Sequence, residues 1–278
     1  MRVKEIPWKL KSAVNLFKSP VWDFDSKGTK RRYVAKVLYR RGLRNLGIRK
    51  KGLFKFKPLM KINGRQIKLW LRDNGHDLEV ANEIFGRKQY KIRRGIGIKS
   101  ALDLGANFGG SALFFASEFP SARLELCEPV AANRELAERN LRANNVSAEI
   151  HEFATGSKNG TGLLYLGENP GSHSIYKNKE TKRGTERVHM ATLDSLGKKF
   201  DLIKFDIEGA EYDLIKGGAK TLMNAKCLAG EIHWDVLGQK KAGEVLMWLS
   251  ERFDVEIRTG PPLVNFVAYN KDLKVMAR

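Results

Sequence analysis

Ala101-Leu-Asp103-Leu-Gly105-Ala-Asn107-Phe-Gly109-Gly110 decides how the rest of the chain is read. An apolar run ends in a carboxylate, a glycine-rich turn follows, and a helical pattern begins at once. Glycine in the turn permits φ > 0 and lets a ligand lie against bare backbone. A dinucleotide site asks for Gly-x-Gly-x-x-Gly, which seats a pyrophosphate on the helix N-terminus. Here the spacing is Asp-x-Gly-x-x-x-Gly. A carboxylate at the strand end is unfriendly to phosphate but suits a ligand carrying an ammonium and a sulfonium. Further on, Leu124-Glu-Leu126-Cys127-Glu128-Pro129 ends a second apolar strand in another acid. A carboxylate there can accept both ribose hydroxyls of a nucleoside. Either acid alone could be no more than a helix cap; the pair points to a cofactor.

Working outward, the pattern from residue 98 alternates strand and helix. Strands are predicted at 98–104, 122–127, 148–153, 200–205 and 227–233, with helices at 110–119, 131–144, 211–222 and 242–253. Residues 255–258 and 264–269, joined by Gly260-Pro261-Pro262, read as a closing strand pair. Such alternation implies a parallel sheet with helices on both faces, and the short final turn implies one antiparallel strand. Ligands of such sheets bind at the C-terminal ends of the strands. Leu163–Leu166 and a polar loop over 167–184 interrupt the regularity. Within that loop, Asn169-Pro-Gly171-Ser-His173-Ser174-Ile-Tyr176 is a candidate border of an acceptor site, since long polar loops often bind ligands.

A second group of acids falls at the same sheet edge. Phe200-Asp201-Leu-Ile-Lys204-Phe205-Asp206-Ile207-Glu208-Gly209-Ala210-Glu211 is a hydrophobic strand running into carboxylates. Asp206 and Glu208 share a face if the chain is extended there, and Glu211 falls in the first helical turn. One strand later, Glu231 and His233 of Gly230-Glu231-Ile232-His233-Trp234 alternate onto one face. A lone histidine is often structural, but this one meets acids where a cofactor should lie.

Taken together, the glycine motif, Glu128-Pro129 with Asn133, Leu193-Asp194-Ser195-Leu196, Lys204-Phe-Asp206-Ile-Glu208-Gly-Ala-Glu211 and Glu231-Ile-His233 resemble the FkbM family of methyltransferases. The likeness covers about residues 75–270, and Asp-x-Glu-Gly-Ala-Glu is its most specific block. Asp77 to Tyr90 resembles the helix and tyrosine preceding the family's core. The resemblance implies an α/β, class I methyltransferase fold, Rossmann-like, with a mostly parallel seven-stranded sheet and an antiparallel C-terminal strand. It implies S-adenosylmethionine as cofactor, with Asp103, Gly105, Asn107 and Gly109 at its methionine end, Glu128 at the ribose and the backbone near Ala154 at the adenine. Family members act on oxygen in sugars, polyketides and cell-surface glycans, so a glycan or small-molecule hydroxyl is the expected acceptor. Removing its proton would need a base, with His233 first choice and Glu208 second, while Asp206 orients cofactor or acceptor. A divalent metal held by Asp206 and Glu208 is a rival route to acceptor activation.

The first 70 residues lie outside that resemblance. The chain has 278 residues, 42 % hydrophobic and 29 % charged, which calls for a packed core. Its net charge of +20 sits at the front: residues 1–100 hold 28 Lys and Arg against 7 Asp and Glu, while the remainder is nearly balanced. A field of that sign gathers anionic partners without choosing among phospholipid, nucleic acid and phosphorylated glycan. Residues 3–18 read as an amphipathic helix with Ile6, Leu10 and Phe17 on one face and Lys4, Lys11 and Lys18 on another. Residues 30–46 read as a densely basic helix, 50–57 as a linker or edge strand, and Met60 to Leu71 as a hairpin turning at Asn63-Gly64. Asp77 is expected to cap a helix running through Phe85. The domains are therefore a basic N-terminal α/β extension, 1–74, and a methyltransferase domain, 75–278. The extension could rest on an anionic membrane surface through residues 1–60, or bind RNA in a nucleic-acid methyltransferase, which is the alternative function. It could also pack on the core as a solvated basic face. No apolar run approaches the roughly 20 residues that cross a bilayer, and no secretory signal is expected at the N-terminus. Two cysteines in apolar segments, Cys127 and Cys227, fit reduced thiols and a cytoplasmic location, with the inner face of the membrane as a peripheral variant.

Overall fold

The computed structural model describes residues 66–72 and 76–272 fully, and the backbone alone at 22–23, 53–54, 59–62 and 65. The chain separates into two compact units, Met1–Lys88 and Gln89–Arg278.

In the first unit, Leu59–Ile62 pairs antiparallel with Arg65–Ile67 in the register of the predicted hairpin, and with Trp22–Asp23 on its other side. The turn at 63–64 and the predicted helices over 3–18 and 30–46 lie outside the described residues. Leu53–Phe54 pairs with Leu71–Arg72, so part of 50–57 is an edge strand. The helix His76–Ala81 continues as a π-helical turn, Asn82–Gly86. Asp77 lies inside the first helical turn rather than ahead of it. Its buried carboxylate accepts from the Arg72 backbone N–H at 2.8 Å and from Arg72 Nε at 2.9 Å, tying strand to helix.

The second unit carries the alternation. In chain order its elements are β1 (Ser100–Leu104), α1 (Gly110–Glu118), β2 (Arg123–Cys127), α2 (Ala131–Ala143), β3 (Glu149–His151), β4 (Ala154–Thr155), β5 (Gly160–Tyr165) and β6 (Thr185–Ala191). Then come β7 (Leu202–Phe205), α3 (Glu211–Met223), β8 (Cys227–His233), α4 (Trp234–Arg252), β9 (Phe253–Ile257) and β10 (Leu263–Asn270). Seven of these strands form one sheet in the order β9-β10-β8-β7-β1-β2-β3. All neighbours from β8 to β3 are parallel, and β10 runs antiparallel between β8 and β9. This is the mostly parallel seven-stranded architecture that the resemblance implies.

The central strands are buried on both faces, as a helix-covered parallel sheet requires, so they read as near-continuous apolar runs. In α2 the buried residues Asn133, Leu136, Ala137, Asn140 and Leu141 recur at helical spacing. Phe205, Leu214, Leu228, Ile232, Val245 and Phe266 belong to one core that joins the sheet to α3 and α4. Two predictions needed revision. The last helix begins at Trp234 rather than Ala242, with a break at Gly238 (φ 75°, ψ 161°). The stretch after β3 is a second small sheet, β5-β6-β4, whose strand β6 escaped the sequence reading. Thr185 to Ala191 is largely solvent-facing, so its strand state depends on the ladder offered by β5 rather than on its own apolar pattern. No helix among the described residues is long and apolar enough to cross a membrane.

Candidate functional site

Parallel strands β1, β2 and β7 end side by side, and each ends in an acid. At β1, Asp103 is buried; it accepts a hydrogen bond from Ser111 Oγ, at the start of α1, and its Oδ1 stands 3.0 Å from Lys204 Nζ. The turn that follows needs its glycines. Gly105 sits at φ 76°, and a Cβ there would collide with the carbonyl oxygen of Asp206. Gly109, at φ 78°, packs against Ala137 of α2. Asn107 also adopts a positive φ, 49°, and its N–H donates to Glu128 Oε2 at 2.8 Å. Asn140 Nδ2 donates to the Phe108 carbonyl at 2.8 Å and ties the same turn to α2.

Glu128, just past β2, therefore organises the crevice. Its Oε1 accepts from the Val130 N–H at 3.0 Å and from Asn133 Nδ2 at 3.1 Å. Beyond it, Ala154 is buried in a small apolar cluster with Leu164 and Val188, against which Val130 and Ile175 pack. Asp103, Gly105, Asn107, Gly109 and Glu128 thus surround one bend. Ala154 lies in the separate small sheet, in the apolar cluster against which Val130 packs.

A second cluster of titratable groups gathers around His233 at the end of β8. Its Nδ1 lies 2.8 Å from Glu211 Oε1, a fully buried carboxylate that also accepts the Gly209 N–H at 3.1 Å. Its Nε2 faces three more carboxylates: Glu208 at 3.4 Å, Asp206 at 3.8 Å and Glu231 at 3.9 Å. The sequence expected Asp206 and Glu208 to share a face by strand alternation. They do share the site, but not for that reason. The strand ends at Phe205, and Glu208 turns back toward His233 because its own φ is 51°. Side-chain exposure divides the roles: Asp206 and Glu208 are 24 % and 26 % exposed, His233 only 9 %. The carboxylates, not the imidazole, face what enters.

Charge follows geometry. Burial alone would lower the imidazole pKa, but Glu208 and Glu211 outweigh it and hold His233 well above its ordinary value. Burial pushes the Glu208 carboxyl up to about 8 despite the nearby imidazolium, with Asp206 and Glu211 adding to the rise. The sequence-based assignment of His233 as the base therefore meets a physical obstacle, because an imidazolium has no lone pair to take a proton. The donor atoms of Asp206, Glu208 and His233 all lie within 4.8 Å of one another, a spacing that could also hold a cation.

Lys204 and Tyr90 were not among the sequence-predicted site residues. Lys204 is buried in β7, 3.0 Å from Asp103, 3.8 Å from Asp206, and donates to the Gly105 carbonyl at 2.9 Å. Burial would lower its pKa, yet Asp103 and Asp206 raise it on balance, so it is a fixed cation between the two halves of the site. A lysine inside a four-residue strand with every position buried was the available signal. Tyr90 is buried, and its hydroxyl lies 3.3 Å from Asp206 Oδ2 and 3.4 Å from Glu231 Oε1. Burial and those carboxylates keep the phenol firmly protonated, as a donor.

The family described as "Methyltransferase FkbM domain" matches residues 103–254. "Methyltransferase 1" of Beauveria bassiana (strain ARSEF 2860) is 25 % identical over 183 residues, which cover 57 % of this chain and 69 % of that protein. "Methyltransferase sdnD" of Sordaria araneosa is 23 % identical over 194 residues, covering 57 % and 71 %. Among solved structures, a ribosomal protein L11 methylase from Lactobacillus delbrueckii subsp. bulgaricus superposes with a TM-score of 0.45 at 14 % identity, over 78 % of this chain and 91 % of that one.

Proposed function

Since the chain belongs to the FkbM-domain family of methyltransferases, we propose that it transfers the methyl group of S-adenosylmethionine to a hydroxyl oxygen of a sugar, glycan or related natural product. The observation that carries this reading is the placement of Asp103 and Glu128 at the ends of the neighbouring strands β1 and β2, with the Gly105–Gly109 bend tied to Glu128 through the Asn107 N–H. The donor set fits the cofactor. Asp103 would take its ammonium end, the backbone of the bend its methionine portion, and Glu128 the ribose, with the apolar cluster at Ala154 beside the adenine. When bound, S-adenosylmethionine supplies an electrophilic methyl carbon on a sulfonium.

The protein's own residues handle the acceptor. A neutral hydroxyl is a weak nucleophile, and a positioned base contributes about 10²–10⁴ in rate. Asp206 and Glu208 are the groups exposed to the crevice, so the hydroxyl proton goes to a carboxylate, with Glu208 the better matched to neutral pH. His233, protonated and fixed through Glu211, holds those two carboxylates in place. Tyr90 donates toward Asp206, and Lys204 keeps Asp206 at the end of β7.

The acidity of this mouth favours a neutral polyol over a phosphate-bearing acceptor. Asp206, Glu208, Glu211 and Glu231 crowd one imidazole, and a phosphodiester beside them would be repelled. That weighs against the RNA methyltransferase alternative, whose basic segment lies mainly outside the described residues. Calorimetric titration with S-adenosylmethionine tests the cofactor, and mass spectrometry of neutral glycosides incubated with both looks for the gain of one methylene mass. Absence of binding to the intact chain would refute the reading; methylation confined to RNA would replace the acceptor.

One observation favours a second route to acceptor activation. Asp206, Glu208 and His233 together offer two oxygens and a nitrogen to a divalent cation. Methyl transfer that persists after exhaustive chelation removes it.

A further inference from the structure

The polar loop between β5 and β6 is anchored to the helices that follow β2, β7 and β8. Asn133 Nδ2, which donates to Glu128, also lies 3.2 Å from the Pro170 carbonyl and donates to it. The Tyr176 hydroxyl donates to Asp213 in the first turn of α3, and Lys179 pairs with Asp235 at the start of α4 at 2.9 Å.

Between these anchors sits Ser174, almost fully buried. Its backbone is locked to Tyr165 by reciprocal hydrogen bonds of 2.7 and 3.1 Å. Its Oγ accepts from the Tyr176 N–H at 3.0 Å and donates to the carbonyl oxygen of Glu208 at 2.5 Å. That carbonyl belongs to a residue at φ 51°. A side chain with a Cβ resists this region, and such conformations persist only where the surroundings over-determine them. The next residue, Gly209, is at φ 98°, where a Cβ would collide with Val236. Gly209 takes that φ freely and the Ala210 N–H closes the turn on the Ile207 carbonyl at 3.2 Å, so the strain sits at Glu208, whose carbonyl the Ser174 hydroxyl holds.

We propose that Ser174 is a positioning residue for Glu208: its hydroxyl pins the carbonyl of the strained turn so that the carboxylate faces His233 and the incoming acceptor. The purpose of that positioning rests on the reading of Glu208 as proton acceptor; the positioning itself does not. Without the hydroxyl, the 208–209 peptide is free to rotate, Glu208 relaxes to negative φ, and its Oε2 leaves the 3.4 Å contact with His233 Nε2.

Ser174→Thr and Ser174→Val differ only in the hydroxyl and share a shape; Ser174→Ala avoids the added bulk. Crystal structures of the three should show Glu208 unchanged in S174T and at negative φ in S174V and S174A. Affinity for S-adenosylmethionine should be unchanged in all three, while turnover falls in S174V and S174A and is retained in S174T. Glu208 keeping its φ in S174V and S174A overturns the proposal, as does an equal change in S174T and S174V. If the unmodified chain fails to bind S-adenosylmethionine, the methyl-transfer reading fails while the geometric result for Ser174 stands.

Discussion

Lys204→Met asks most directly whether the site is held together by one buried cation. The ammonium lies 3.0 Å from Asp103 and 3.8 Å from Asp206, with both Lys204 and Asp103 almost wholly buried. Methionine keeps most of the volume and removes the charge, so packing is largely conserved. What remains is an uncompensated buried carboxylate at Asp103, a situation that costs about 3–5 kcal/mol. For a unit of this size, that corresponds to a fall in Tm of about 6–20 °C. Lys204 also donates to the Gly105 carbonyl at 2.9 Å, so the cofactor turn should loosen too. The sign with pH follows from the raised pKa of Lys204. A cation whose folded pKa is raised contributes its stability fully below its unfolded value and loses it only in strong alkali. The share of the wild-type advantage that comes from Lys204's own titration should thus be nearly constant between about pH 6 and 9 as that linkage requires. Urea denaturation across that range measures it, and Lys204→Met with Asp103→Asn should recover part of the loss. A penalty under about 1 kcal/mol, within the range of an exposed ion pair, or no recovery in the double variant, would refute the reasoning.

Glu128→Gln should weaken S-adenosylmethionine binding by roughly 10–100-fold, because hydrogen bonds to a charged group contribute about 1.5–3 kcal/mol each; calorimetry reads this directly, and unchanged affinity would remove Glu128 from the cofactor site. Gly105→Ala places a Cβ against the Asp206 carbonyl at φ 76°, and left-handed strain with overpacking should cost about 2–5 kcal/mol, visible in thermal denaturation. Methyl transfer should rise with pH through about 8, since Glu208 must be ionised to take a proton, and Glu208→Gln should abolish that limb of the rate profile. The same elevation makes the folded protein hold this proton more tightly than the unfolded chain, so Glu208 should cost stability as pH climbs from the ordinary carboxylate range toward 8. Denaturation midpoints of wild type and E208Q that run parallel across that interval would contradict it.

Much of the fold was legible because its signals are local. Asp103, Gly105 and Gly109 specify a strand, a tight bend and a helix within ten residues, and the period of the apolar pattern separates the strands of the large sheet from the helices between them, with the front of α4 before Gly238 missed. The whole of β8, Cys227–His233, was placed to the residue because both its faces are buried and its run is uninterrupted. β6 was missed because its strand state is conferred by a partner.

Sequence by itself determined the chemical types at the site: acids at three strand ends, a histidine at a fourth, glycines where backbone must bend. Tertiary structure decided what those types do. Protonation of His233 depends on how many carboxylates surround it, and Glu208, Glu211, Asp206 and Glu231 arrive from two strand ends and a helix. The burial of Lys204 between Asp103 and Asp206, and the grip of Ser174 on Glu208, join residues far apart in the chain. Electrostatic energy varies with distance through space and with desolvation, and neither quantity is written in the order of residues.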